Sequence, residues 1–181
     1  MRLAMTVAAL LTIAAGPPAP AGEHLALTPL PGFELAFREE GDGNLIEERI
    51  PSGETVERWT RMVTVQRFAG VVQRADAASY LGTIRTNLPR SCPGGTTTPI
   101  RSLTVSGHRA ARLRADCPRN PQTGLPETFE ILAIEGANDI HVAQVAFRRV
   151  PSAVDLAWSD RQLAGVALCT GSSREPACAA R

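Results

Sequence analysis

Four consecutive segments with strand character, separated by only a few turn residues each, constrain this chain more than any other feature. They cover residues 99–105, 108–117, 127–135 and 139–149, with Gly- and Asn-containing turns between them. Strands joined by such short turns run antiparallel to one another. The pattern therefore predicts a meander of antiparallel hairpins. The fourth segment is apolar on both faces over most of its length, which predicts a central strand.

Three more strands and two helices complete the predicted fold. The strands are expected over residues 33–40, 44–50 and 59–68. Asp76 is expected to cap a helix over residues 75–89, which Pro89 ends. Ser152 and Asp155 are expected to start a second helix, which ends near Cys169. The element order β-β-β-α-β-β-β-β-α predicts an α+β domain in which two helices pack on an antiparallel sheet of about six or seven strands.

The N-terminus has the three parts of a secretory signal peptide. Arg2 supplies the positive charge, residues 3–15 are apolar, and Ala19-Pro20-Ala21 is a small-x-small cleavage site. An apolar helix of that length reaches only about 20 Å, which is short of the ~30 Å bilayer core. We therefore expect residues 1–21 to be removed near Ala21. Residues 22–181 then form one periplasmic or secreted domain that does not insert into the membrane.

The mature chain contains four cysteines, Cys92, Cys117, Cys169 and Cys178. An even number of cysteines in an exported chain indicates disulfides, and four cysteines allow three pairings. The pairs Cys92–Cys117 and Cys169–Cys178 are favoured because both are sequential and close modest loops. The spacings fit no metal motif, so we expect neither a metal nor a cofactor.

Charge is segregated along the chain. All 19 basic residues are arginine, against 18 acidic residues in total. Residues 22–60 contain nine acids and three arginines, whereas residues 61–120 contain ten arginines and two acids. The formal net charge of only +1 argues against binding of nucleic acid through bulk charge.

The arginine-rich block predicts a candidate anion-binding face. Alternation along the strand at 108–117 puts His108, Arg112 and Arg114 on one side. Arg61, Arg67 and Arg101 lie on other strands and could extend the face. Guanidinium groups suit carboxylates and phosphates. The other interpretation is that these arginines form ion pairs with the acidic segments within the sheet.

No catalytic motif is evident among the three histidines. Ser106, His141 and Asp139 could in principle form a nucleophilic triad, but no G-x-S-x-G sequence surrounds the serine. Asp139 and His141 are better interpreted as a hydrogen-bonded pair at a strand end. We therefore predict a non-enzymatic module that binds an anionic envelope component or another exported protein. The alternatives are an envelope hydrolase with a dispersed site that uses His108 or His141 as the base, and an accessory or inhibitory subunit.

Three stretches carry a resemblance to known sequences. Residues 51–68 (PSGETVERWTRMVTVQRF), 115–129 (ADCPRNPQTGLPETF) and 141–153 (HVAQVAFRRVPSA) resemble an uncharacterised family of small exported bacterial proteins. The element order is also similar to that of PsbP-like domains. The resemblance implies a small extracytoplasmic α+β domain, and it brings no catalytic residues.

Overall fold

The structure is a computed structural model that describes residues 22–171, 173 and 176–178. The predicted signal peptide, residues 1–21, lies outside the described residues. Ten strands are present: β1 (His24–Ala26), β2 (Phe33–Gly41), β3 (Asn44–Pro51), β4 (Arg61–Phe68), β5 (Thr96–Thr97), β6 (Arg101–Val105), β7 (His108–Cys117), β8 (Glu127–Glu135), β9 (Ile140–Phe147) and β10 (Ala167–Cys169). The helices are α1 (Ala77–Ser91) and α2 (Ala153–Ala164), with short 3-10 turns at Val71–Gln73 and Pro176–Cys178.

An antiparallel sheet of eight strands forms the centre of the domain. Its order is β2-β3-β4-β9-β8-β7-β5, and β6 pairs with β7. β9 lies in the middle and pairs with β4 and β8 along its whole length, as its two apolar faces predicted. The α+β class is therefore confirmed, with slightly more strands than expected.

The two helices cover opposite faces of the sheet, which we call the α1 face and the α2 face. On the α1 face, Leu81 and Leu88 pack against Leu113 and Ile131. On the α2 face, Leu163 packs in a cluster of buried aliphatic and aromatic side chains from β4, β8 and β9. Burial on both faces explains why β9 and the second half of β8 are rich in apolar residues.

Both helices begin at the predicted caps. Asp76 accepts a hydrogen bond from the Ser79 backbone N–H, and Ser152 forms a full capping box with Asp155. The predicted ends were less accurate. α1 continues through Pro89 to Ser91, because a proline in the last turn gives up only one helical hydrogen bond.

α2 ends at Ala164 rather than near Cys169. The residues that follow the helix pair instead with the N-terminal segment. Residues 167–169 form strand β10, which pairs with β1 in a separate two-stranded sheet. Sequence reasoning predicted no strand at His24, which pairs with Cys169 in the ladder.

Two disulfides join the favoured pairs of cysteines. Cys92–Cys117 links the end of α1 to the end of β7, with Cα atoms 5.8 Å apart. Cys169–Cys178 links β10 to the following 3-10 turn, with Cα atoms 5.5 Å apart. Both predicted pairings are confirmed. No helix within the described residues is long and apolar enough to cross a bilayer.

Candidate functional site

The predicted arginine residues all lie on the α2 face, but they do not form one patch. Arg112 and Arg114 are on β7, and Arg101 lies opposite Arg112 on the neighbouring strand β6. Arg61 and Arg67 are on β4, which is separated from β7 by the two strands β9 and β8. The structure therefore divides the predicted face into two groups at different ends of the sheet.

Arg112 is held in an internal network beneath α2. One of its amino groups donates to Glu130 and to Asp160, at 2.6 Å in each case. The Ser159 hydroxyl donates to the same Glu130 carboxylate at 2.6 Å. Glu130 is only 8% exposed, so its charge needs these partners. The network explains Arg112 as a residue that balances a buried carboxylate.

The other arginines have partners of different kinds. Arg114 donates to Asp116 at 3.0 Å, and Arg67 donates to Glu40 at 3.1 Å. The Arg61 guanidinium lies over the Trp158 ring at 5.1 Å. Among the described residues no ion pair engages the exposed Arg101. Anion binding at this face stays a prediction, although the paired carboxylates already occupy most of its guanidinium groups.

Ser106 does not assemble with the histidines, although the Asp139 charge acts on His141. His141 is 1% exposed, and its Nε2 lies 3.6 Å from a Glu23 carboxylate oxygen beside a cavity of only about 60 Å³. Burial lowers the pKa of His141, and the Glu23 charge partly offsets that effect.

The other residues considered for a catalytic site form hydrogen bonds with different partners. Ser106 accepts a hydrogen bond from the Leu168 N–H, and Asp139 accepts one from the Gly70 N–H. His108 Nδ1 lies 2.9 Å from the Glu135 carbonyl oxygen. Within the described residues, no hydroxyl or thiol is hydrogen-bonded to His108 or His141.

A cleft with a polar floor lies on the α1 face, beside the part of the sheet that α1 covers. We call it the polar cleft and define it by Glu48, Thr64, Gln66 and Gln144. The register pairs Glu48 with Thr64 and Thr64 with Gln144, so these three form a row across β3, β4 and β9. The cavity has a volume of about 270 Å³. This is close to the lower end of the roughly 300–1,000 Å³ typical of small-molecule sites.

The walls of the polar cleft come from two loops. Trp59 stands at one end, where the Arg148 guanidinium stacks on its ring at 4.2 Å. The segment 120–123 forms the other side, and there Asn120 donates to Glu127 at 2.8 Å. The wall side chains therefore have partners within the protein, whereas the floor side chains do not.

The side chains of the floor residues have no hydrogen-bond partners in the described part of the chain. No side-chain hydrogen bond or ion pair engages Glu48, Gln66 or Gln144. The Thr64 hydroxyl also has no partner, although Thr64 is only 4% exposed. Burial raises the pKa of Glu48, with no cation or donor to counter it. The polar atoms of these side chains nevertheless reach solvent, where water or a ligand can bond them. The polar cleft is therefore equipped to make hydrogen bonds that the protein itself does not supply.

Two further cavities continue the polar cleft in both directions. One, of about 170 Å³, shares Asn120, Gln122 and Glu127 with it and reaches the Cys92–Cys117 disulfide. The other, of about 340 Å³, shares Gln66 and reaches the β2–β3 turn. Together they form a broken trough across the α1 face.

Sequence reasoning missed the polar cleft, although a signal was present. Thr64, Gln66 and Gln144 lie on the α1 sides of β4 and β9, where the other residues are apolar, and such exceptions to a pattern need an explanation. Within the described residues, no group of three or more His, Cys, Asp or Glu side chains could hold a metal ion.

No family model matches the chain, and no curated protein matches its sequence. Among solved structures, the chain is similar to Mog1p, a Ran-binding protein of Saccharomyces cerevisiae. The TM-score is 0.52 at 12% identity, over 78% of this chain and 88% of Mog1p. The described architecture is therefore similar to that of Mog1p, and the likeness concerns the fold alone.

Two bacterial structures are more distant. Protein PA94 of Pseudomonas aeruginosa, of unknown function, matches with a TM-score of 0.48 at 17% identity, over 78% of this chain and 92% of that one. LpqN of Mycobacterium tuberculosis, described as involved in cell envelope biogenesis, matches with a TM-score of 0.44 at 12% identity, over 83% and 86%. The expected likeness to PsbP-like domains stays a prediction.

Proposed function

We propose that this protein is an exported, non-enzymatic binding module whose polar cleft holds an uncharged, hydroxyl- and amide-bearing ligand of the cell envelope. The observation that carries the proposal is the row of polar side chains without partners, Glu48, Thr64 and Gln144, with Gln66 beside it. The polar atoms of these side chains reach solvent, so a ligand with matching donors and acceptors can replace the water that bonds them.

The chemistry of the floor favours a neutral ligand over an anionic one. The two glutamine amides both donate and accept, and the Thr64 hydroxyl does the same. The ionised Glu48 only accepts, and it would repel a carboxylate or phosphate. Sugar hydroxyls can donate to Glu48 and accept from the glutamines, and an acetamido group matches a glutamine amide.

The shape of the trough favours a linear ligand. The three cavities are arranged end to end and share residues at each junction, with the polar cleft in the middle. A chain of sugar rings could place one ring in the polar cleft and extend on both sides. We therefore propose a strand of N-acetylhexosamine units as the ligand class.

The proposed location supports this ligand. The signal-like N-terminus and the two disulfides are both typical of an oxidising, extracytoplasmic compartment. Intact mass measurement of the protein from the envelope or medium fraction tests the location. We expect a chain that starts at Gly22 with both disulfides formed, and a reduced, uncleaved chain in the cytosol would contradict the proposal.

Binding is tested by titration of the isotope-labelled, oxidised protein with the N-acetylglucosamine tetramer, followed by amide chemical shifts. We expect saturable shifts on β3, β4 and β9 around the polar cleft. Saturable shifts confined to the arginines of β7 on a parallel titration with dextran sulfate would instead support the anion-binding face. Absence of shifts around the polar cleft with the tetramer would contradict the proposal.

A further inference from the structure

An exposed phenylalanine, Phe37, lies at the outer end of the polar cleft. It is on β2, the strand at the edge of the large sheet, and 39% of its surface is exposed. The register pairs Phe37 with Glu48, so the row of the polar cleft begins one strand further out and runs as Phe37, Glu48, Thr64 and Gln144. Directly opposed residues of antiparallel strands have their side chains on the same face. The Phe37 side chain is therefore the neighbour of the Glu48 side chain on the α1 face.

Phe37 reaches the α1 face because β2 contains one extra residue. The pairing passes from Leu35–Arg49 directly to Phe37–Glu48 and skips Ala36. In a regular strand Leu35 and Phe37 would share a face, because residues two apart point the same way. Here Leu35 lines a cavity on the α2 face together with Arg49, whereas Phe37 lies on the opposite face. β-Bulges of this kind re-aim a side chain and are common beside functional sites.

The ring of Phe37 has no packing role within the described residues. It belongs to none of the hydrophobic core clusters there and contacts no other aromatic ring. Phe33 on the same strand is the contrast, because it packs on the main core and stacks on Trp158 at 5.7 Å. A single exposed apolar side chain is ordinary at a protein surface. An aromatic ring that a bulge turns towards a polar cleft is not, and it indicates a contact with the ligand of that cleft.

Phe37 also lies where the polar cleft meets the next cavity of the trough. Its partner Glu48 lines the polar cleft. Glu39, two residues further along β2, lines the cavity of about 340 Å³ that reaches the β2–β3 turn. A ligand that extends from the polar cleft in that direction therefore passes Phe37.

We propose that Phe37 is a stacking site for a second sugar ring of the ligand, next to the ring held in the polar cleft. This inference rests on the proposed function and adds to it the kind of sugar unit that binds. The unit must present a ring face made only of C–H groups, as a β-1,4-linked N-acetylglucosamine unit does because its ring substituents are equatorial. Such C–H groups pack on the negative face of the aromatic ring, and the Glu48 carboxylate accepts from a hydroxyl at the edge of the sugar.

Phe37→Ala and Leu35→Ala are a matched pair of variants, because each removes an exposed apolar side chain from the same edge strand, on opposite faces. Calorimetric titration with the N-acetylglucosamine tetramer measures the affinity. We expect Phe37→Ala to weaken binding about tenfold through loss of the aromatic contact, and Leu35→Ala to change it less than about twofold. Both variants should keep the urea midpoint of the parent, because both positions are exposed. Equal losses in the two variants, or no loss in Phe37→Ala, would overturn the proposal and leave the bulge as a device that protects the sheet edge.

Phe37→Leu distinguishes stacking from simple apolar cover. Leucine keeps an apolar side chain but has no aromatic face, so the affinity should still fall about fivefold. In the parent complex, nuclear Overhauser contacts between the Phe37 ring protons and the sugar ring protons give the location. Parental affinity in Phe37→Leu, or absence of these contacts at saturation, would overturn the proposal.

The outcome for Phe37 is distinguishable from the outcome for the polar cleft. A parent protein that does not bind the tetramer contradicts the proposed function and this inference with it. A parent that binds with shifts around the polar cleft, together with a Phe37→Ala variant of equal affinity, contradicts the role of Phe37 alone.

Discussion

Arg112 on β7 and Glu130 on β8 lie directly beneath α2 and are joined by a hydrogen-bonded ion pair of 2.6 Å. Ser159 of α2 donates to the same carboxylate, so the pair also fixes the helix to the sheet. The charge segregation in the sequence is therefore explained here by internal pairing between the arginine-rich block and an acid of the last block.

Replacement of Arg112 by Gln should destabilise the domain by about 1–3 kcal/mol, because Glu130 is then buried without its cation. Urea unfolding monitored by tryptophan fluorescence measures the change. Arg101→Gln is the matched control, because Arg101 is exposed on the neighbouring strand, and we expect a change within about 0.5 kcal/mol. Unchanged stability of Arg112→Gln, with weaker binding of dextran sulfate, would favour the anion-binding face instead.

The two disulfides should contribute unequally to stability. Cys92–Cys117 spans 25 residues and Cys169–Cys178 spans 9. Loop-closure entropy gives roughly 3.5 kcal/mol for the longer loop and about 2.7 kcal/mol for the shorter one. We expect the double variant Cys92→Ala/Cys117→Ala to lose more unfolding free energy than Cys169→Ala/Cys178→Ala. The reverse order in urea unfolding would show that the Cys169–Cys178 disulfide contributes more to stability than its loop length indicates.

Glu48 should destabilise the free protein at neutral pH. Burial raises its pKa above the ordinary value of 4.5, so on a rise in pH the unfolded chain ionises before the folded one. The folded state therefore loses stability as the pH rises above about 4.5. The variant Glu48→Gln has no ionisable group at this position. Its free energy of unfolding at pH 7 should therefore exceed that of the parent, by no more than about 1 kcal/mol.

The same comparison at pH 4 is the control for Glu48. There the parent carboxyl is mostly protonated in both states, so the advantage of the variant should become much smaller. Thermal unfolding at the two pH values provides the measurement. A variant that is less stable than the parent at pH 7 would mean that the Glu48 carboxylate has a stabilising partner.

The sheet was predictable because its signals are local. Strands β7 and β8 were predicted with their observed bounds, since alternation and turn residues mark both ends. The caps Asp76 and Ser152 were equally visible. The strand β1 was not predictable, because a segment of three residues carries little pattern. Its partner β10 also comes from the other end of the described chain.

The polar cleft could not be predicted because it depends on which strands are neighbours. Glu48, Thr64 and Gln144 belong to three strands, and only the order β3-β4-β9 makes them a row. Similarly, the predicted arginine face assumed that β4 and β7 were close. The insertion of β9 and β8 between them separated Arg67 from Arg112.

The most direct test of the proposed function is a comparison of Gln144→Met with the parent in binding of the N-acetylglucosamine tetramer and in urea unfolding. Methionine has a similar shape but no amide, so affinity should fall at least tenfold. Stability should change by less than about 0.5 kcal/mol, because the Gln144 amide reaches solvent and has no hydrogen bond within the described residues to lose. Gln73→Met, at an exposed position outside the polar cleft, should change neither quantity. Unchanged tetramer binding by Gln144→Met, or lower stability without loss of binding, would contradict the account.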